Sequence, residues 1–591
     1  LVLCLATGVG LVAAFAEDDA PVDLADAPRP ENAESLGVGR HVGDLAFVDL
    51  GGQAGALSGY ADRKALVIAY TNTDCPVCRK YGPRLAELER RFTARNVAFL
   101  FVNPSAEEDP ARIREQIQAW GFKGRYVHDV DATLTGPLGA RTTGEVFVLD
   151  AARTLVYRGA VDDQHGVGWS RDAPRVHLLV DALERVLAGQ RPDPAATSAP
   201  GCLLGGAPTA SASPAITWHE DISRIVQHRC LTCHREGENG PFELRHYSQV
   251  KAKAAMIRWV VEEKRMPPWF AGPGSLPMKN DHDLTTRERG ELLAWIDAGC
   301  PEGDPRSAPL PRTFIEGWKI GTPDVVYRLP SEQRIPATGT VRYRYLEVES
   351  RLSEDRWVQA FEVRPTAPQV VHHVLVFCEY PKDHERYRDR PRDQQGLRGY
   401  FAAMVPGQGH VRYPEGLAKF MPRGARLRFQ LHYTTNGTAA TDRTEVGLIF
   451  AKQKPAHEVR SAAVSTVRFR IPPGASNHRV SATRMLPLDA TLLGFTPHMH
   501  LRGKSYRYDL LLPDGTQKLL LDVPRYDFNW QLYYALREPL AVPAGSRIKG
   551  TAHYDNSEGN PANPDPTAAV RHGEQTWDEM MIGYVDWYPT R

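Results

Sequence analysis

Residues 191–215 read RPDPAATSAPGCLLGGAPTASASPA, and no single fold is expected to span them. Pro, Ala, Gly and Ser dominate and no apolar period runs through the stretch, so it predicts a linker. The texture differs on its two sides. Over 36–190, apolar runs such as ALVIAYTN (65–72) and VAFLFVN (97–103) alternate with helical patterns, which predicts an α/β domain. Leu85, Leu88 and Phe92 fall at helical spacing, and EVFVLD with TLVYRGAVD predicts a hairpin. Over 216–305 helical patterns dominate, predicting a small all-α domain. From about 313, short β-branched runs alternate with Gly, Pro and Asn turns, predicting all-β sandwiches at 313–455 and 456–591. A chain of 591 residues fits such a multidomain reading.

The first residues, LVLCLATGVGLVAAFAEDDA, form an apolar run ending in Ala14-Phe15-Ala16 and then acids. This predicts a signal peptide over 1–16, hence an exported protein of the periplasm, cell surface or medium, with no stable membrane span after cleavage. Residues 17–35 read as a disordered lead. The net charge is +1 and no dense Lys/Arg stripe is present, which argues against nucleic acid as a partner. Eight cysteines are too few for a disulfide-built scaffold, but two pairs have Cys-x-x-Cys spacing, the pattern of redox and haem chemistry.

RCLTCH contains Cys230-x-x-Cys233-His234, the spacing for two thioethers to one haem c with the adjacent imidazole on iron. The alternative is a structural disulfide with a coincidental histidine. Downstream, EKRMPPWFAG offers Met266 as a sixth ligand, with Met278 and His282 as rivals. The stretch resembles the small c-type cytochrome domains fused to bacterial redox enzymes. That resemblance implies Met266 as distal ligand and a role in electron transfer.

TNTDCPVCRKYGP sits where a strand passes into a helix. Cys75 would then lie at a helix N-terminus, where the dipole favours thiolate, with Cys78 one turn on. Residues 36–190 resemble the thioredoxin-like redoxin family, and ARTTGEVFVLD matches the segment before its central strand. The family usually has Thr-Pro there, shaping the substrate groove, where this chain has Thr143-Gly144. Cys202 is a candidate distant resolving thiol. The alternative is a docking domain with a structural Cys75–Cys78 disulfide.

The last third gathers histidines in motifs: PQVVHHVLVF with His372 and His373, LHY with His432, and HMH with His498 and His500. His498 and His500 are i and i+2, so on a strand they share a face and make a bidentate metal pair. Met580, in DEMMIGYVDWYP, adds a thioether, and a His₂Met set selects copper. Adjacent His372 and His373 can share one metal with His432 if the strand twists or bulges there, or if the two use different ring nitrogens. The order of these motifs resembles the copper type II, ascorbate-dependent monooxygenases, the family of the peptidylglycine- and dopamine-hydroxylating enzymes.

The resemblance covers about 313–591. It implies two jelly-roll-like sandwiches facing a solvent-filled cleft, with two copper ions. His372, His373 and His432 would hold the electron-transfer copper, and His498, His500 and Met580 the oxygen-activating one. The peptide-amidating branch has Arg and Asn where this chain has Thr496 and Ile582, so a peptide-carboxylate clamp is not expected. Tyr584 keeps a matching aromatic. Cys378 has no evident partner nearby in sequence, Cys300 and Cys202 being the options.

Taken together, the expected activity is hydroxylation of a C–H bond in a small-molecule or peptide substrate with O2. The fused haem would relay electrons from an external donor, whether a cytochrome, a quinol-linked or an ascorbate-like reductant. Two alternatives stand beside it. One is a thiol-disulfide or peroxide oxidoreductase centred on Cys75. The other is a non-catalytic copper and haem carrier or sensor.

Overall fold

The computed structural model describes residues 24–205, 216–388 and 399–590, so the signal peptide expected at 1–16 lies outside the described residues. No described helix is long and apolar enough to cross a membrane.

The N-terminal unit is a five-stranded sheet ordered Arg125–His128, Val97–Asn103, Ala65–Tyr70, Val146–Asp150, Leu155–Gly159. The first three strands are parallel, and the last two form the expected antiparallel hairpin. Ala65–Tyr70 is buried on both faces, which is why it reads as an unbroken apolar run. Val67 and Ala69 pack on helices Pro76–Thr93 and Leu178–Leu187, while Leu66 and Ile68 pack on the opposite layer with Phe147.

Below the sheet, Glu145 and Arg158 form a buried ion pair at 2.7 and 2.9 Å. Arg158 also donates to the carbonyls of Leu36 and Gly139. Removing the carboxylate strands a buried guanidinium. Glu145→Ala is therefore expected to cost about 3–5 kcal/mol in the urea unfolding transition of this unit.

The unit is longer at both ends than 36–190. Residues 24–35 are not a disordered lead: Leu24 is buried, and the Trp169 indole donates to Ala25 O at 2.7 Å. Glu31 pairs with Arg141, and its N–H donates to Ala196 O. Nor is the first part of 191–215 a free linker. Thr197 N donates to Arg158 O, and Leu204 N donates to Arg141 O. Backbone pairing fixes this segment despite its composition.

Helices Ser223–Arg229, Tyr247–Ala252, Ala254–Glu262 and Thr286–Asp297 surround Trp295, which is fully buried with Ile222, Val226 and Leu292. A reciprocal cap starts the last helix: Thr285 Oγ1 accepts from Glu288 N, and the Glu288 carboxylate accepts from Thr285 N. The stretch between the last two helices leaves this unit. Trp269, Phe270 and Met278 are buried in the core of the final sandwich, and Asn280 bonds Tyr533 O and Ala535 N.

The C-terminal region is all-β. In its first half, a six-stranded sheet centred on Arg356–Arg364 packs against a four-stranded sheet. That second sheet is ordered Arg344–Glu349, Arg426–Tyr433, Val371–Glu379, Tyr400–Met404. The second half pairs the sheet holding Ala490–His498 and Ile582–Pro589 with the sheet holding Gly503–Leu511 and Arg547–Tyr554. Leu375 and Phe377 from the first half meet Met580, Ile582 and Tyr584 from the second.

Candidate functional site

Cys75 caps helix Pro76–Thr93, and its N–H donates to Asn72 Oδ1 at 2.8 Å. The Cys78 thiol donates to Thr143 O and Oγ1 at 3.1 and 3.2 Å. Cys202, distant in sequence, sits in the same site, where a resolving thiol has to be. Burial acts to raise the Cys75 thiol, but hydrogen bonds from Cys202, Cys78 and Thr143 outweigh it and hold Cys75 well below the ordinary range. The proton stays on its neighbours. The bond to Cys75 and burial hold Cys202 well above its usual value, and burial and the Cys75 contacts do the same for Cys78.

Gly144, standing where the redoxin pattern has proline, is explained by packing: a Cβ there would lie 2.1 Å from Pro200 O. All described cysteines are unpaired thiols. Cys378, Cys300 and Cys202 lie in three separate cores, so neither proposed partner reaches Cys378.

In the helical unit, His234 Nδ1 bonds Phe242 O at 3.0 Å, which fixes the ring and leaves Nε2 as the atom that could ligate a metal. Burial lowers the His234 pKa, favouring the neutral imidazole, and raises the Cys230 and Cys233 thiols to about 12 and about 11. Met266 lines the same cavity as Cys230, Cys233 and His234. Its rivals are otherwise engaged: Met278 is in the sandwich core, and both ring nitrogens of His282 meet backbone carbonyls at 3.1 Å. Cys230, Cys233, His234 and Met266, the set expected to hold a haem c, thus border one cavity.

The thiol loop abuts this unit. Arg79 donates to Pro241 O, and Asp74 lies 3.7 Å from Lys253. One cavity of about 1760 Å³ is lined by Cys75 and Cys202, by Cys230, Cys233 and His234, and by His372, His432 and His498.

The ladder between Val371–Glu379 and Arg426–Tyr433 pairs Val371 with Tyr433 and His373 with His432, and its register shifts between Val371 and His373. His372 is the bulged residue. The bulge lets adjacent histidines converge: His372 Nδ1 lies 3.0 Å from His373 Nδ1 and 3.2 Å from His432 Nδ1. Ligating atoms of all three lie within 4.8 Å of one another, and all three residues are buried. His373 Nε2 has no hydrogen-bond partner. Burial drives all three pKa values down, that of His372 to about 3. Three neutral imidazoles with Nδ1 atoms turned on one another fit a shared cation.

His498 ends strand Ala490–His498, whereas His500 lies beyond it, so the two do not share a strand face as expected. Their ring centroids are nonetheless 5.3 Å apart. His498 Nδ1 bonds Gln531 Oε1 at 2.6 Å, and His500 Nδ1 bonds Asp578 O at 3.2 Å, leaving Nε2 of each available. The ladder ends at His498 opposite Ile582, and His500 and Met580 each lie two residues beyond that last pair. Met580 precedes strand Ile582–Pro589 and packs with Leu375 and Phe377, while Met581 faces the opposite core.

Glu579 holds this turn. Its carboxylate accepts from the N–H of His500, Arg502 and Met580 at 2.8, 2.7 and 3.2 Å, and burial raises its pKa to about 7. The two histidine groups adjoin: His373 and His498 ring centroids are 6.2 Å apart. Tyr343 sets edges against His432, His373 and His500, and Phe528 stacks on His372. Sequence reasoning missed Glu579, Gln531, Tyr343 and Phe528. Glu579 left a trace, as an acid set directly before Met580 in an apolar run.

The redoxin family model matches residues 37–173. No curated protein matches the chain. Among solved structures, a hypothetical protein of Sinorhizobium meliloti 1021 is 23% identical, covering 30% of this chain and 96% of its own, with a TM-score of 0.27. Peroxidoxin BcpB of Mycobacterium tuberculosis is 17% identical over 21% of this chain and 84% of its own, TM-score 0.19. The thioredoxin domain of a thiol-disulfide oxidoreductase of Bacteroides vulgatus is 15% identical over 20% and 86%, TM-score 0.19. With the sheet order and the cysteine-capped helix already described, residues 37–173 are a redoxin domain of thioredoxin-like fold, at the head of a chain that ends in a large all-β region.

Proposed function

We propose that the chain is an oxidoreductase with two working centres: a thiol-disulfide centre on Cys75, and a copper monooxygenase centre on the histidines that hydroxylates a C–H bond with O2. The thiol reading has the support of the redoxin match, and its geometry is a low-pKa cysteine at a helix N-terminus beside two proton-bearing thiols. The copper reading stands on one observation, the convergence of three buried Nδ1 atoms next to a second histidine pair with free Nε2 atoms.

In this reading His372, His373 and His432 hold one copper, and His498, His500 and Met580 the other. Copper supplies the single-electron activation of O2 that an imidazole and thioether site permits. The chain's own residues orient and seal. Gln531 and Asp578 O fix the two imidazoles, and Glu579 fixes the turn that carries His500 and Met580. Tyr400 and Tyr584 stack at 4.4 Å and line the same cavity as His498, forming an aromatic part of its wall. Thr496 and Ile582 offer no cation for a carboxylate. A haem on Cys230, Cys233, His234 and Met266 would pass electrons singly from an external donor.

The test is metal analysis and an optical spectrum on protein matured where haem c is attached, together with a disulfide-reduction assay. Copper at both sites with covalent haem, and O2 uptake that depends on substrate, is expected. Protein that takes up no copper after dialysis against it overturns the copper reading. Disulfide reduction unchanged in Cys75→Ser overturns the thiol reading.

A further inference from the structure

Residues 195–204 form a strap across the redoxin site. Arg158 N donates to Ala195 O, Thr142 Oγ1 to Ala199 O, and Thr143 N to Cys202 O at 2.9 Å. Thr143 Oγ1 accepts from Cys202 N at 2.9 Å and from the Cys78 thiol at 3.2 Å, so one threonine fastens both sulphur-bearing residues beside Cys75. The strap fits only because the domain gives way to it. Pro200 O occupies the space a Gly144 side chain would take, and a Cβ on Gly201, at φ +147°, would lie 2.6 Å from Gly144 N. The groove beside the active cysteines is therefore filled by the chain's own backbone.

We propose that Cys202 is the third redox thiol of this centre and the strap its built-in disulfide partner, so that Cys75 exchanges disulfide bonds between Cys78 and Cys202. The inference rests on the thiol reading above. Starting from a Cys75–Cys78 disulfide, the Cys202 thiolate attacks Cys75 Sγ. The Cys75–Cys202 bond forms as the Cys75–Cys78 bond breaks, and Cys78 leaves as thiolate and takes up the proton that Cys202 gave up. No net electrons move. The hydrogen bond to Cys75 is the largest cause of the raised Cys202 thiol pKa, and a disulfide at Cys75 removes it, leaving burial as the largest remaining cause. A folded protein disulfide cannot enter the filled groove. Cys202 lines the large cavity, so the class of substrate that fits is a small-molecule thiol or disulfide reaching it from there.

The experiment is disulfide mapping on the full-length protein. Wild type, Cys78→Ser, Cys202→Ser and Gly144→Ala are oxidised with limiting diamide, capped with N-ethylmaleimide and digested with trypsin without reduction. No Lys or Arg separates Cys75 from Cys78, so their bond stays within one peptide, whereas a Cys75–Cys202 bond joins two. The expected result is both linkages in wild type and Cys75–Cys202 alone in Cys78→Ser. In Gly144→Ala, whose new methyl displaces the strap, a several-fold loss of the Cys75–Cys202 linkage is expected, with Cys75–Cys78 retained. Cys202 fully capped in both wild type and Cys78→Ser while Cys75–Cys78 still forms in wild type overturns the inference and leaves the thiol reading standing. No disulfide through Cys75 in any of the proteins overturns both.

Discussion

His432→Ala is expected to remove one copper and leave the other, and His498→Ala to do the same at the opposite site. If both coppers serve the proposed reaction, each substitution should lower substrate-dependent O2 uptake by at least ~10–100-fold. The two losses are separable because the donor atoms differ. The His372, His373 and His432 group converges through Nδ1, while His498 and His500 have Nδ1 tied to Gln531 and to Asp578 O. Gln531→Leu keeps every ligand but frees the His498 ring. It should weaken that copper by ~10–100-fold with the histidine triad unaffected. Copper titration followed by electron paramagnetic resonance reads all three. Equal weakening of both coppers by Gln531→Leu would show that the two groups are not distinct sites.

The second large effect concerns Cys75. Cys75→Ser should abolish disulfide reduction while leaving the copper-dependent reaction intact. The pH dependence follows from the sign of the shift. A depressed thiol pKa means thiolate persists as pH falls, so iodoacetamide should modify Cys75 at a constant rate through neutral pH. The rate should drop only well below the ordinary thiol value of about 8.5. Cys202→Ala removes the leading hydrogen bond that stabilises this thiolate, so the midpoint should move upward. A wild-type profile centred at the ordinary value would mean that Cys75 is not held as thiolate.

What could be read in the sequence was chiefly periodicity and spacing. The apolar run at 65–70, the hairpin at 146–159 and the β texture after 313 are local patterns, and local patterns survive without knowledge of contacts. Adjacent His372 and His373 could share a metal through a twist, a bulge or different ring nitrogens, and the register shift shows that a bulge is present. The misses share one cause, long-range pairing. Residues 24–35 and 196–204 are Pro- and Ala-rich and look like lead and linker, yet each is held by the other through Glu31 N and Ala196 O. Gly144 looked like a lost proline until Pro200 O was found in its place. Gln531 and Tyr343 sit far in sequence from the histidines they touch, and no spacing rule reaches them.

The route of residues 269–280 has a consequence for how far this protein is modular. Trp269, Phe270 and Met278 belong by sequence to the helical unit but by packing to the last sandwich. A fragment begun at residue 313, the natural cut on sequence grounds, would lack three large side chains from its core and expose the sheet they cover. Losing even one such residue from a core costs about 2–5 kcal/mol. The last sandwich therefore inherits part of its stability from a neighbour. The two units must be made, kept and exchanged as one piece, because the segment that offers Met266 is tied to both: Met266 N donates to Val260 O of helix Ala254–Glu262, while Trp269, Phe270 and Met278 sit in the sandwich.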